Sequence, residues 1–374
     1  MRKLYLSILS LSILTCAFAS ILAQSGSIES GEFHAVSLEG NLIGDSPERN
    51  ILVYLPPGYE RQKNIRYPVI YFLQGFAAGD NAARKKLFGE FAEIINRLIA
   101  AKKIKPIIFV TPDGNNKFGG SFYTNSITTG NWEDYIVRDS VSYIDKKYRT
   151  IAKPESRGIG GFSMGGYGAI KLAMKHPDVF GAVYGTSPCC LNLFPGKSPT
   201  DKQLEEASAV KSWEDFAKLK NFFVQLAFAY APAFSPNPSK PPFFADFPFS
   251  KTGETNSSAE SAKARWLANI PNFMVDQYRS NLSRLRGIAF DAGTKEEGFI
   301  QIPSREFSET LKRNRIEHSF EVFEGGHGDK LAERMEKKIL PFFSQKLAFE
   351  TSAKKQTDAR FREVFLSNLF LPFL

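Results

Sequence analysis

Short apolar runs alternate along this chain with longer stretches in which apolar positions recur at helical spacing. Phe33–Leu38 and Asn50–Leu55 read as strands, and Pro56-Pro57-Gly58 closes the second. Pro68–Leu73 and Ile107–Thr111 are apolar almost throughout, as strands covered on both faces are. Pro112-Asp113-Gly114 stops the latter. Gly181–Gly185, Gly287–Asp291 and Glu317–Phe323 read as later strands. Ala82–Ala101, Trp132–Tyr148, Gly166–His176 and Lys330–Lys346 read as helices. The second of these carries Ile136, Val137, Val141 and Ile144 on one face. This alternation predicts an α/β fold with a mostly parallel central sheet and helices on both faces. Ligands in such folds bind at the carboxyl ends of the strands.

Residues 191–285 break the rhythm and hold no clear strand. Phe, Pro and Ser crowd positions 222–249, including Pro241-Pro242-Phe243-Phe244. This Phe/Pro-rich stretch reads as a helical insertion. It either lies over the site as a cap with an apolar acyl or aryl pocket, or packs a small core of its own. The main domain is expected over 30–348. Residues 349–374 form a tail with a basic run and the apolar Val364-Phe365-Leu366; an amphipathic tail, a packing arm and disorder all fit.

Arg2 and Lys3 precede an apolar run to about Ala19, with Ala17-Phe18-Ala19 as a small-x-small site and Ala23 as a second cleavage candidate. Residues 1–23 therefore read as a secretory signal, placing the mature protein in the periplasm or outside the cell. The run is short for a membrane-spanning anchor, the rival reading. The formal net charge is +9, and the basic surplus is scattered. No zinc-finger, RRM or helix-turn-helix pattern accompanies it, so nucleic acid is not an expected partner. Of the three cysteines, only the adjacent Cys189 and Cys190 follow the signal. Neighbouring cysteines rarely bridge, so no disulfide framework is expected. Metal-ligand spacings and phosphate-loop signatures are lacking too, and no cofactor is expected.

Gly161-Phe162-Ser163-Met164-Gly165 is a G-x-S-x-G pattern between an apolar run and a helix-like run. That context suits a nucleophile elbow, a sharp strand-to-helix turn that lifts the Ser163 hydroxyl above the sheet. A serine hydroxyl needs a base. Among His34, His176, His318 and His327, the last lies in Gly325-Gly326-His327-Gly328, directly after the final predicted strand. The imidazole in turn needs a carboxylate. The segment Asp291-Ala292-Gly293-Thr294-Lys295-Glu296-Glu297 offers three. Glu296 lies in the loop, better placed to reach His327; Asp291, at the strand end, is the alternative acid. For an oxyanion hole, Met164 supplies one backbone N–H and Phe76 the other, with Gly75 second. Gln74, Gly75, Tyr123 and Asn125 lie on loops at the same sheet edge and are candidate substrate contacts.

Together these motifs resemble the esterase D / putative esterase family of α/β-hydrolases. Its relatives include enterochelin and feruloyl esterases and the antigen 85 mycolyltransferases. The resemblance rests on Tyr54-Leu55-Pro56-Pro57-Gly58-Tyr59, on Tyr67 to Gly75, on the elbow, on Asp291 to Glu296 and on Gly325-Gly326-His327. It implies the α/β-hydrolase fold and a serine hydrolase acting on a small-molecule or carbohydrate-linked ester. The family position of the acid falls on Glu296; most members carry Asp there, and the mycolyltransferases Glu. An acyltransferase using an alcohol acceptor, a peptidase and a catalytically inactive binding protein are the alternative functions.

Overall fold

In the computed structural model, residues 25–79, 81–192, 199–248 and 257–350 are described. The 1–23 signal segment and residues 351–374 of the expected tail lie outside them. The strands are β1 (Ser27–His34), β2 (Glu48–Leu55), β3 (Val69–Leu73), β4 (Ile108–Pro112), the short β5 (Asn125–Ser126) and β6 (Gly130–Asn131), β7 (Arg157–Phe162), β8 (Ala182–Thr186), β9 (Gly287–Gly293) and β10 (Ser319–Phe323). Eight of them form one sheet in the order β1-β2-β4-β3-β7-β8-β9-β10. The first two strands pair antiparallel to their neighbours, and every pairing from β4 to β10 is parallel.

The apolar strands are two-faced, as their composition requires. Val69, Tyr71 and Leu73 join one buried cluster, with Ile136 and Ile144 of the helical run over 132–147 and with the Met164–Lys175 helix. Ile70 and Phe72 face the other cluster, against Phe88, Phe91 and Ile95 of the Asn81–Ala100 helix and Met335, Ile339 and Phe343 near the C-terminal end. Alternation on a pleated strand explains the split. Between β8 and β9 the described residues form helices, including Asp201–Ala209, Phe222–Phe234 and Ser257–Leu267.

Three expectations need correction. The first strand is Ser27–His34, and Val36–Leu38 is a 3₁₀ turn rather than its continuation. β1 is an edge strand with little buried surface, so its alternation is weak, and Leu38 is buried by the turn instead. The last strand begins at Ser319, which leaves His318 before it, hydrogen-bonded to Ser308 and to the Ile316 carbonyl. Cys189 and Cys190 are joined by a disulfide. Cys190 takes a left-handed backbone (φ +63°), a geometry no spacing rule could foretell.

Candidate active site

Ser163 sits between β7 and the Met164–Lys175 helix with φ +56° and ψ −116°. Such a backbone is rare for a residue with a side chain, and it is held from several sides. The Ser163 N–H donates to the Thr186 carbonyl (3.1 Å), and its own carbonyl accepts from Tyr167 and Cys189 N–H. The turn leaves no room for neighbouring side chains. A Cβ on Gly161 would lie 2.3 Å from the Gly165 carbonyl carbon, and one on Gly165 would lie 2.0 Å from the Leu73 oxygen. The elbow thus rests directly on the loop that follows β3.

Two other loops bring their side chains to Ser163. His327, after β10, places Nε2 2.9 Å from Ser163 Oγ. Its Nδ1 lies 2.5 Å from Glu296 Oε1, and its ring packs against Phe162. With the proton on Nδ1, the ring donates to the carboxylate and leaves Nε2 free to accept from the serine. Glu296 lies in the 3₁₀ turn that follows β9, its side chain only 2% exposed. Its second oxygen accepts from the Ser187 hydroxyl (2.9 Å) and the Gly293 N–H. The other histidines are elsewhere: His34 between Glu39 and Glu48, His176 on Glu133, His318 on Ser308.

Asp291 does not touch His327. Its carboxylate is fully buried and accepts from the Tyr184 and Thr186 hydroxyls, the Ser187 N–H and the Arg334 guanidinium (2.6 and 2.8 Å). Burial pushes its carboxyl up, and the Arg334 guanidinium and neutral donors oppose that. Asp291 therefore braces the Thr186-Ser187 turn, and Ser187 in turn holds Glu296. Ser187 and Arg334 escaped the sequence reading. The end of β8 at the carboxyl edge was the one signal for Ser187; Arg334, in a basic helix, had none.

Met164 begins the elbow helix, and Phe76 follows Gly75 in the β3 loop. The N–H groups of both lack an acceptor among the described residues, whereas the next one, of Ala77, is committed to the Gly119 carbonyl. Gly75 is packed against the elbow, since a Cβ there would meet Ser163 Cβ at 3.4 Å. Tyr123 and Asn125 depart from the substrate-lining role expected of them, whereas Gln74 is half-buried beside Gly75. The Gln74 amide reaches Asp113 at 3.5 Å, in an ion-pair cluster with Arg49 and Arg84. Tyr123 is fully buried and donates to the Gln74 carbonyl. The Asn125 side chain accepts from the Glu133 and Asp134 N–H groups and so ties down a helix start. For Tyr123 a backbone carbonyl, and for Asn125 two orphaned backbone N–H groups, claimed the polar side chain.

A chain of rings links the loops beside Ser163. Phe76 packs edge-on to Phe222 (5.9 Å), Phe222 touches Phe223, and Phe223 meets Phe299, three residues beyond Glu296 (5.7 Å). Phe222 and Phe223 are each 45% exposed.

Residues 46–331 match the family model described as putative esterase. The chain belongs to the putative esterase family. Esterase Rv1288 of Mycobacterium tuberculosis is 34% identical over 138 residues, which is 36% of this chain and 27% of that protein. The endo-1,4-beta-xylanase/feruloyl esterase of Xylanibacter ruminicola is 32% identical over 190 residues, 49% of this chain and 24% of that one. The chain thus spans about a quarter of the length of these curated relatives. Among solved structures, a ferulic acid esterase superposes with a TM-score of 0.59 at 20% identity, covering 87% of this chain and 99% of the other. An S-formylglutathione hydrolase from Agrobacterium tumefaciens gives 0.55 at 16% identity, with 87% and 97% covered. These superpositions establish that the mostly parallel sheet with flanking helices is the α/β fold of esterases and related hydrolases.

Proposed function

We propose that this protein is an exported serine esterase that forms an acyl-enzyme on Ser163. The observation that carries the reading is the continuous hydrogen-bonded line from Ser163 Oγ through His327 to Glu296. Ser163 Oγ attacks the ester carbonyl as His327 Nε2 takes its proton, and Glu296 stabilises the resulting imidazolium. The carbonyl oxygen becomes an anion held by the Met164 and Phe76 N–H groups. His327 then returns the proton to the departing alkoxide, which leaves as the alcohol. A water molecule, deprotonated by His327, attacks the acyl-serine and releases the acid.

The acyl group is aromatic on this reading, of the feruloyl kind named for relatives of the chain. The Phe76–Phe222–Phe223–Phe299 rings favour it, because planar faces stack on planar faces. The described part of the 191–285 insertion, which contributes two of these rings, acts as a cap. The test compares methyl ferulate with p-nitrophenyl acetate, butyrate and octanoate, beside Ser163→Ala. The expected result is hydrolysis abolished by the substitution and fastest on the aryl ester. Equal background in both proteins would overturn the esterase reading, and a preference for octanoate would overturn the aromatic acyl group.

A further inference from the structure

Phe122 and Tyr123 are consecutive residues with positive φ, +51° and +45°. Two adjacent left-handed residues with large side chains cost free energy, and such strain persists only where the surroundings enforce it. Both side chains are fully buried, and both turn toward the loop after β3. The Tyr123 hydroxyl donates to the Gln74 carbonyl at 3.0 Å. The Phe122 ring stacks on the Phe76 ring at 6.0 Å. The two contacts bracket Gly75, the residue packed against Ser163.

The slot that Tyr123 occupies is cut for it on two sides. A Cβ on Gly168 of the elbow helix would fall 2.3 Å from the tyrosine ring, and one on Gly114 would fall 2.5 Å from its oxygen. Tyr123 therefore touches the elbow helix with its ring and the β3 loop with its hydroxyl. Those are the two segments whose N–H groups must converge on one oxygen. Burial also pushes the phenol well above its usual range, so it remains a donor at any working pH.

We propose that Tyr123, assisted by Phe122, is a positioning residue that sets the Gln74–Phe76 loop against the elbow so that the Phe76 and Met164 N–H groups form one oxyanion hole. This rests on the reading of Ser163 as nucleophile. The peptide plane supplies the physics. With the Gln74 carbonyl held by Tyr123, the trans peptide fixes the direction of the Gly75 N–H and leaves the loop little freedom before Phe76. An oxyanion donor acts only if it is aimed before charge develops.

The experiment uses the full chain and Tyr123→Phe, which keeps the ring and removes the donor. Wild type, Ser163→Ala and Tyr123→Phe are compared on a matched pair, an aryl acetate and its thionoacetate. Sulfur accepts hydrogen bonds poorly, so the thionoester is nearly blind to the hole and the ester-to-thionoester ratio reports on it. The expected result for Tyr123→Phe is a loss of about tenfold or more in kcat on the ester at nearly unchanged KM. The ester-to-thionoester rate ratio should fall with it. An unchanged kcat, or equal losses on both substrates, would overturn the proposal while leaving the esterase reading intact. Wild-type activity that survives Ser163→Ala would overturn both. Phe122→Leu, which keeps Tyr123 and removes the ring stacked on Phe76, must show the same ratio change. It decides the matter if Tyr123→Phe does not fold.

Discussion

Replacing Glu296 by glutamine should be more damaging than removing the side chain altogether. The reason lies in what each carboxylate oxygen does. Oε2 accepts from two donors, the Ser187 hydroxyl and the Gly293 N–H. In Glu296→Gln those donors claim the amide oxygen. The NH₂ group then occupies the Oε1 position, 2.5 Å from His327 Nδ1. A donor there requires Nδ1 to accept, which moves the ring proton to Nε2, the atom 2.9 Å from Ser163 Oγ. His327 then presents a proton to the serine whose proton, on the proposed mechanism, it must remove. In serine-protease triads, locking the wrong tautomer in this way costs about 10⁴ in kcat, about 5 kcal/mol of barrier. A loss of about 10³ to 10⁴ is expected here. Glu296→Ala loses the charge but leaves the imidazole free to choose its tautomer, so a loss of about 10² is expected. The assay is kcat for an aryl ester at neutral pH, with thermal unfolding alongside to confirm that both variants fold. Glutamine within tenfold of wild type, or alanine the slower of the two, would refute the reasoning.

Two further outcomes follow from burial and packing. Burial works against the charge on Glu133, yet hydrogen bonds from His176 (2.8 Å) and Lys175 (2.6 Å) outweigh it and hold the carboxyl at about 2, below its ordinary 4.5. A depressed carboxyl stabilises the fold above its unfolded pKa and loses that contribution as pH falls through the folded one. Glu133→Gln should therefore lower stability at pH 7 by about 3 kcal/mol and flatten the decline between pH 4.5 and about 2, read by denaturant titration at each pH. An acid limb as steep as that of wild type would refute this. Gly165→Ala forces a methyl against the Leu73 and Gln74 carbonyls, where its Cβ would stand 2.0 and 2.7 Å away. Displacing that loop should cost about 10² or more in kcat, and overpacking about 1–3 kcal/mol of stability. A variant within tenfold of wild-type kcat would show that the loop tolerates the shift.

What the sequence alone determined was local. Strands covered on both faces announce themselves by unbroken apolar runs, because each pleated face has a layer to satisfy, and so Val69–Leu73 and Ile108–Pro112 were legible. The elbow was legible because its glycines and serine are contiguous. The segments holding Glu296 and His327 were legible because the alternation of elements says which residues end strands at one edge of the sheet. Tertiary structure decided what lies across long separations. Ser163 and His327 stand 164 positions apart, and their 2.9 Å approach depends on the order of the strands. It also decided which partners the polar loop side chains bond. Tyr123 and Asn125 lie on loops at the right edge, yet buried carbonyls and orphaned N–H groups took them as partners. Asp291 was drawn beneath the site by Arg334, which comes from a distant helix. A one-dimensional pattern records which face of an element is apolar; it carries no record of which distant group will satisfy a buried donor or acceptor, and that competition assigned these residues.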